Sequence, residues 1–179
     1  MNRIRERWCG VPNPFNREQV SSISLASKDV DVIVFWTRNA KPLLPHLREL
    51  DRLGYRYYFQ YSLLGYPREV DPNSPYLQAS IRTFSELSDL VGPEKVIFRY
   101  DPILFKHKMD EQFHLDSFNE ISLSLEGKTT RCVISIVDDY RKARGRMREL
   151  SNMEGFQALP FNPQGHREFL VKLARISNE

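Results

Sequence analysis

Strand-like and helix-like segments alternate along most of this chain, and the alternation limits the folds it can adopt. Four short runs are rich in apolar, β-branched and aromatic residues, as buried strands are. They occupy residues 31–37, 56–62, 95–101 and 131–137. Apolar residues at helical spacing fill the segments between them, at 42–53, 75–91 and 113–125. Strands joined by helical crossovers predict βαβ units and a parallel sheet, and hence an α/β fold.

The two ends of the chain depart from this pattern. Residues 8–13 and 19–25 resemble two short strands around a turn, which predicts an N-terminal β-hairpin. Later segments predict a helix at 139–150, a loop at 152–163 and a helix at 166–176. Four βα units make half of an eight-stranded barrel. We therefore interpret residues 1–179 as a single α/β domain, an incomplete TIM-like barrel with mainly parallel strands, and we expect it to be truncated at both ends.

Composition excludes several classes of protein. A net charge of +3 permits phosphate contact but lacks the large basic excess of most nucleic-acid modules. Cys9 and Cys132 lie too far apart in sequence to suggest a disulfide framework, which fits a reducing cytoplasm. No apolar run reaches the ~18 residues of a membrane helix, and no signal-peptide core is present. We expect a cytoplasmic protein without membrane contact.

Sequence motifs for common cofactors are missing. The chain has no glycine-rich phosphate loop or dinucleotide fingerprint, and its four histidines lack metal-ligand spacing. Two isolated cysteines cannot supply the usual thiolates of an iron–sulfur cluster. The residues of this chain therefore support no cofactor.

Each predicted strand ends in polar residues. Because side chains alternate along a strand, Arg99 and Asp101 should share one face at the carboxyl end of the third strand. The carboxyl ends of parallel strands meet at one rim, where α/β folds bind ligands, so we expect these polar side chains to line one pocket. The candidate catalytic residues are Asp101, Arg99 and Asp138. The candidate ligand-binding residues are Asn13, Asn16, Thr37, Asn39, Gln60, Ser62, Tyr100, Ser135, Tyr140 and Lys142.

Several of these residues have a structural interpretation as well. Arg99 and Asp101 can form a salt bridge that only orients the next loop. The Asn and Pro residues at 13–16 fit an ordinary turn. Trp36 and Tyr100 can stack on a substrate or pack in the core, and for Trp36 we favour the core. The basic segment 141–148 fits a solvated helix face better than a phosphate site.

Five segments, in order, resemble the domain-of-unknown-function family 1848. They are Asn13-Pro14-Phe15-Asn16, Val34-Phe35-Trp36-Thr37-Arg38-Asn39, Tyr57-Tyr58-Phe59-Gln60-Tyr61, Phe98-Arg99-Tyr100-Asp101-Pro102-Ile103 and Arg131-Cys132-Val133-Ile134-Ser135. Gly92-Pro93-Glu94 before the third strand and Asp138-x-Tyr140-x-Lys142 after the fourth also fit. The resemblance covers nearly the whole chain.

The resemblance implies an uncharacterised bacterial or archaeal protein built on a partial or full α/β barrel. Complete family members carry a C-terminal cysteine cluster likened to the iron–sulfur site of radical S-adenosylmethionine enzymes. They also begin with a strand similar to Ile-Ser-Ala-Ser-Arg-Arg-Thr-Asp. Neither feature occurs in this sequence. The resemblance therefore implies an iron–sulfur cluster and S-adenosylmethionine for complete members only, and a fragment inactive in redox chemistry here.

Three functions remain open at this point. The leading hypothesis is a fragment of a radical S-adenosylmethionine-like barrel enzyme, in which Arg99 holds a small anionic or polar substrate. In this hypothesis Asp101 either orients Arg99 or accepts a hydrogen bond from a substrate hydroxyl. The first alternative is a non-enzymatic module that binds phosphate or nucleic acid through residues 141–148 and the N-terminal arginines. The second is a cluster-independent hydrolase or lyase that uses Asp101 and Asp138 as an acid/base pair. Open edges of an incomplete barrel also predict self-association.

Overall fold

The computed structural model describes residues 1–106, 108–137, 162 and 164–177. Several predictions lie outside these residues. They are the helix at 139–150, the basic segment 141–148, most of the loop at 152–163, and the candidate site residues Asp138, Tyr140 and Lys142.

Strands and helices alternate along most of the described residues, and the sequence pattern predicts most of them. In chain order they are α1 (Asn2–Glu6), β1 (Trp8–Pro12), β2 (Val20–Ser24), β3 (Ile33–Thr37), α2 (Leu47–Arg52), β4 (Tyr57–Ser62), α3 (Leu77–Val91), β5 (Val96–Ile103), α4 (Glu111–Ser124), β6 (Cys132–Ile136) and α5 (Arg167–Ile176). Among the described helices, none combines the length and apolar character needed to cross a membrane.

The helix predicted over 42–53 is shorter than expected. A 3₁₀ turn at Leu44–His46 comes first, and the regular helix α2 begins at Leu47. Pro45 explains the difference, because proline has no N–H to donate and its ring clashes with the carbonyl four residues earlier. Proline is tolerated only in the first turn of a helix, so Pro45 disfavours a regular helix that already begins at residue 42.

The predicted N-terminal hairpin is confirmed. β1 and β2 pair antiparallel, with Trp8 opposite Ser24 and Pro12 opposite Val20. Two asparagine side chains hold the turn between the strands. The Asn13 side-chain oxygen accepts a hydrogen bond from the Phe15 N–H at 2.9 Å, and that of Asn16 accepts one from the Glu18 N–H at 3.2 Å.

The remaining strands form a four-stranded sheet in the order β3-β4-β5-β6. β4 and β5 are parallel, with Ser62 beside Arg99. β5 and β6 are also parallel, with Arg99 beside Val133. The mixed α/β class, its parallel sheet and its hairpin are therefore confirmed, whereas the barrel stays a prediction.

Contacts divide the chain into two compact units. The first comprises Met1–Phe35 and Lys41–Tyr58, and the second comprises Trp36–Ala40 and Phe59–Glu179. In the first unit, the Arg5 guanidinium donates to both carboxylate oxygens of Glu49, at 2.7 and 2.8 Å. The prediction of a single domain stays a prediction.

The core of the second unit lies between the sheet and the helices α3 and α4. The ring of Tyr61 on β4 contacts Phe84 on α3, with centroids 5.4 Å apart. On β5, Phe98 and Tyr100 contact Phe118 of α4, with centroids 5.6 and 5.2 Å apart. All five rings are buried. Because side chains alternate, residues 60, 99 and 101 project from the opposite face of the sheet.

Gly92 ends α3 in a conformation that other residues avoid, with φ 95° and ψ 144°. We expect Gly92→Ala to lower the free energy of unfolding by about 1–3 kcal/mol, because L-residues are strained in this region. Urea unfolding checks this. Glu86→Ala, on the exposed side of the same helix, is the control and should change little. An unchanged free energy of unfolding in Gly92→Ala would contradict the expected backbone strain at this position.

Candidate functional site

Arg99 is held in place by two neighbouring side chains. Its Nε and Nη2 groups donate to the Asp101 Oδ2 atom, at 3.2 and 2.8 Å. Its Nη1 group donates to the Gln60 Oε1 atom at 2.5 Å. Alternation along β5 puts Arg99 and Asp101 on one face, and Gln60 projects from the same face of β4. Three bonds therefore fix the plane of the guanidinium group.

Asp101 connects this arrangement to the next strand. Its second oxygen, Oδ1, accepts a hydrogen bond from the Ser135 hydroxyl on β6. Both carboxylate oxygens are thus engaged, one by Arg99 and one by Ser135. We call Gln60, Arg99, Asp101 and Ser135, from three adjacent strands, the Arg99 network.

Within the described residues, Arg99 has N–H donors that its bonds to Asp101 and Gln60 do not use. The Arg99 side chain is 14% exposed and that of Asp101 is 24% exposed. A guanidinium group has five N–H donors, and the three bonds above use three of them. Each terminal nitrogen, Nη1 and Nη2, therefore keeps one N–H that takes no part in these three bonds. Two such donors match the paired oxygens of a carboxylate or phosphate.

Trp36 lies over the Arg99 network and corrects one prediction. Its ring centroid is 4.9 Å from the Arg99 guanidinium carbon, and the side chain is 71% exposed. The predicted core packing of Trp36 is therefore wrong. Trp36 lies on the face that carries Arg99, whereas α3 and α4 cover the opposite face.

Tyr100, a predicted ligand-binding residue, lies instead on the helix-covered face. It is fully buried, and its hydroxyl is 3.0 Å from the Nδ1 atom of His114. The His114 Nε2 atom lies 3.1 Å from the Leu104 carbonyl oxygen. A carbonyl only accepts, so Nε2 carries the proton and Nδ1 accepts from Tyr100. Tyr100 therefore belongs to a buried polar contact in the core.

Burial also changes the ionisation of this pair. It raises the pKa of Tyr100 above its ordinary value. It lowers the pKa of His114 to about 4, although the hydrogen bond to Leu104 and the charge of Asp110 partly oppose this. Both groups are therefore neutral at physiological pH. The sequence analysis missed this contact, whose only signal was that His114 and Phe118 share a helix face.

The other predicted residues near this rim have different surroundings. The Thr37 hydroxyl accepts from the Asn39 N–H at 3.0 Å, in the turn after β3. Ser62 lines a cavity of about 10 Å³, room for about one water molecule. That cavity is also lined by Arg38 and Asp71, whose ion pair has an N–O distance of 2.5 Å. The sequence analysis missed Asp71, which lies in a loop without a recognisable pattern.

Asn13 and Asn16 lie in the hairpin of the first unit. Their side-chain oxygens accept hydrogen bonds from the turn itself, as described above, and the Asn13 amide also donates to Gln19 at 2.9 Å. An ordinary turn accounts for these bonds.

A larger cavity of about 440 Å³ lies at the other end of the strands. It is lined by Thr129, Arg131 and Cys132 at the start of β6, and by Leu123 of α4. Arg99 and Asp101 line neither cavity. The directed polar contacts therefore favour the Arg99 network as the candidate site over the larger cavity.

The residues present do not fit an iron–sulfur cluster. The chain has two cysteines, whereas such clusters are ordinarily held by more thiolates. Burial raises the pKa of Cys132 to about 12, which keeps this thiol protonated. Within the described ranges, no group of three or more His, Cys, Asp or Glu side chains is arranged to hold a metal ion.

Comparisons with known proteins give one finding. No curated protein and no solved structure matches the chain significantly. A protein-family model matches residues 1–179, which is the full length of the sequence. The resemblance in the five sequence segments is thereby confirmed, and the chain belongs to the family described as "Domain of unknown function (DUF1848)".

Proposed function

We propose that the Arg99 network binds a small anionic ligand through the guanidinium group of Arg99. The observation that carries this proposal is the fixed guanidinium with one N–H left on each terminal nitrogen. Because Asp101 and Gln60 already hold the group in one orientation, an anion would not have to order it. A ligand with two oxygens on one centre, such as a carboxylate or phosphate, matches the two donors.

The charge balance of the site supports a small ligand rather than a polyanion. Arg99 and Asp101 form an ion pair at 2.8 Å, so their formal charges cancel. Attraction by long-range charge is therefore weak, and recognition depends on directed hydrogen bonds. Nucleic-acid binding normally uses several uncompensated cations and weakens steeply with salt. The nucleic-acid alternative, which uses residues 141–148 and the N-terminal arginines, stays a weaker proposal. Residues 141–148 lie outside the described residues, and Arg3 and Arg5 form ion pairs with Glu6 and Glu49.

Asp101 fits a positioning role better than acid/base chemistry. Its Oδ2 atom accepts two hydrogen bonds from Arg99 and its Oδ1 atom accepts one from Ser135, so these bonds use three of the four lone pairs of the carboxylate. The hydrolase or lyase proposal, which pairs Asp101 with Asp138, therefore has less support. In our proposal Arg99 contacts the ligand, and Asp101, Gln60 and Ser135 position Arg99.

The family resemblance supplies finer proposals. In a radical S-adenosylmethionine-like barrel enzyme, the Arg99 network would be part of the substrate-binding side. The cysteines of this chain do not fit the required cluster, so no redox step is assigned to its residues. A cytoplasmic location, an incomplete barrel and self-association stay proposals, and β3 and β6, the outer strands of the described sheet, are the edges that would pair.

Replacing Arg99 by methionine should weaken anion binding at least tenfold, since both donors are lost. The chain has two tryptophans, so a Trp8→Phe background leaves Trp36 as its only tryptophan. Trp36 lies 4.9 Å from Arg99 and reports on the site. Titration with acetate or inorganic phosphate, at constant ionic strength, should change Trp36 fluorescence saturably in this background. In Arg99→Met the same fluorescence change should require a much higher ligand concentration.

Two further variants make this test specific. Arg82→Met removes an exposed arginine from the outer side of α3 and should leave the affinity unchanged. Arg99→Lys keeps a cation beside Asp101 but loses the paired donors, so it should also bind the anion weakly. This variant keeps the test valid if Arg99→Met folds poorly. Equal affinity in the parent and in a folded Arg99→Lys protein would refute the proposal.

A further inference from the structure

We infer that the ligand of the Arg99 network carries a flat aromatic ring as well as an anionic group, and that Trp36 is the surface on which this ring stacks. The inference rests on the proposed function and adds the chemical class of the ligand. The observation behind it is an exposed tryptophan, fixed beside the anion-binding donors.

The exposure of Trp36 sets it apart from other strand aromatics of the second unit. Phe59, Tyr61, Phe98 and Tyr100 are all buried on β4 and β5, whereas Trp36 is 71% exposed. An indole ring presents a large apolar area, and exposing it to water is unfavourable. A single exposed aromatic residue needs no explanation by itself. Its place directly over Arg99 is what suggests a ligand.

Arg99 also fixes the orientation of the tryptophan ring. A guanidinium group over an indole ring is attracted by the negative charge of the ring face. Asp101 and Gln60 hold the guanidinium group, so the ring has an ordered support 4.9 Å away on one side. The high exposure leaves the rest of the ring accessible. Trp36 is therefore prepared to stack with a second flat ring.

The geometry also limits the length of the ligand. A ring stacked on the exposed side of Trp36 would place its centre roughly 8 Å from the Arg99 guanidinium carbon, at ordinary van der Waals spacing. The anionic group must then reach past the edge of the indole to the Arg99 donors. This requires a flexible linker between the ring and the anion that can pass the edge of the indole.

A matched pair of acids tests the aromatic ring directly. 4-Phenylbutanoate and 4-cyclohexylbutanoate share the carboxylate and the linker, and they differ in whether the ring is flat and aromatic. We expect the phenyl compound to bind about fivefold more tightly, because only its ring can stack on indole. Ligand-observed NMR titration measures both. The uncharged 4-phenylbutan-1-ol should bind much more weakly than either acid.

Substitutions then assign the preference to Trp36. In Trp36→Leu the two acids should bind equally, and the phenyl compound should lose about fivefold in affinity. Trp8→Leu, which replaces the other tryptophan in the hairpin, should keep the preference. Arg99→Lys should weaken both acids while keeping the phenyl preference.

Each outcome decides between the inference and the proposed function. If both acids require Arg99 but bind equally to the unaltered protein, or if the preference survives in Trp36→Leu, the inference is overturned and the proposed function stands. If neither acid depends on Arg99, or the alcohol binds as tightly as the acids, the proposed function itself fails.

Discussion

Replacing Phe118 by alanine is expected to lower the free energy of unfolding by about 3–5 kcal/mol, the usual cost of removing a buried phenyl ring. Phe118 is fully buried and contacts both Phe98 and Tyr100 of β5. The substitution removes these contacts and leaves a cavity between α4 and the strand that carries the Arg99 network. Chemical denaturation, followed by circular dichroism, measures the loss.

A second phenylalanine provides a matched control. Phe15 lies at the turn of the hairpin and is 97% exposed. Phe15→Ala makes the same chemical change without a cavity, so the free energy of unfolding should change by less than about 0.5 kcal/mol. A similar loss in both variants would mean that the helix-covered face of β5 is not the core of the second unit.

Acidification is expected to destabilise the protein through His114. Burial lowers the pKa of this imidazole to about 4 in the folded state, against 6.5 in the unfolded chain. The unfolded state therefore binds more protons between these values, and stability is lost as the pH falls from about 6.5 to 4. The loss should amount to roughly 3 kcal/mol at most. Denaturation curves at a series of pH values measure it.

Two variants assign this pH dependence to His114. His114→Gln keeps a donor and an acceptor but cannot be protonated in this range, so stability should vary less between pH 6.5 and 4 than in the parent. His46→Gln, at a partly exposed position, retains His114 and should keep its contribution to the parental pH dependence. If His114→Gln and the parent lose stability in parallel, the buried imidazole is not responsible.

The sequence predicted the strands of this fold better than it predicted their surroundings. β-Branched and aromatic runs locate β3 to β6, because such residues suit a pleated and buried backbone. Alternation also predicts that Arg99 and Asp101 share a face, and the structure pairs them. It does not predict which face the helices cover. For this reason the predicted core packing of Trp36 is wrong, and Tyr100, a predicted ligand-binding residue, lies on the helix-covered face.

Long-range contacts were the least predictable part of the site. Gln60 lies 39 positions before Arg99, and Ser135 lies 34 positions after Asp101. Their polar character at strand ends suggested a shared rim but no partner. Asp71 pairs with Arg38 from inside a loop, where no periodic pattern indicates a partner. Such pairs depend on how strands and loops are positioned relative to one another, and a single sequence does not specify this.

The alternation of β5 also has a consequence for how this segment tolerates insertions and deletions. The strand separates an aromatic core on one side from a charged, hydrogen-bonded surface on the other. Moving its register by one residue would turn Arg99 towards Phe118 and Tyr100 towards Gln60 in a single step. A one-residue insertion would thus bury a charge and break the hydrogen bonds of the Arg99 network together, so both faces of the strand constrain the length of this segment.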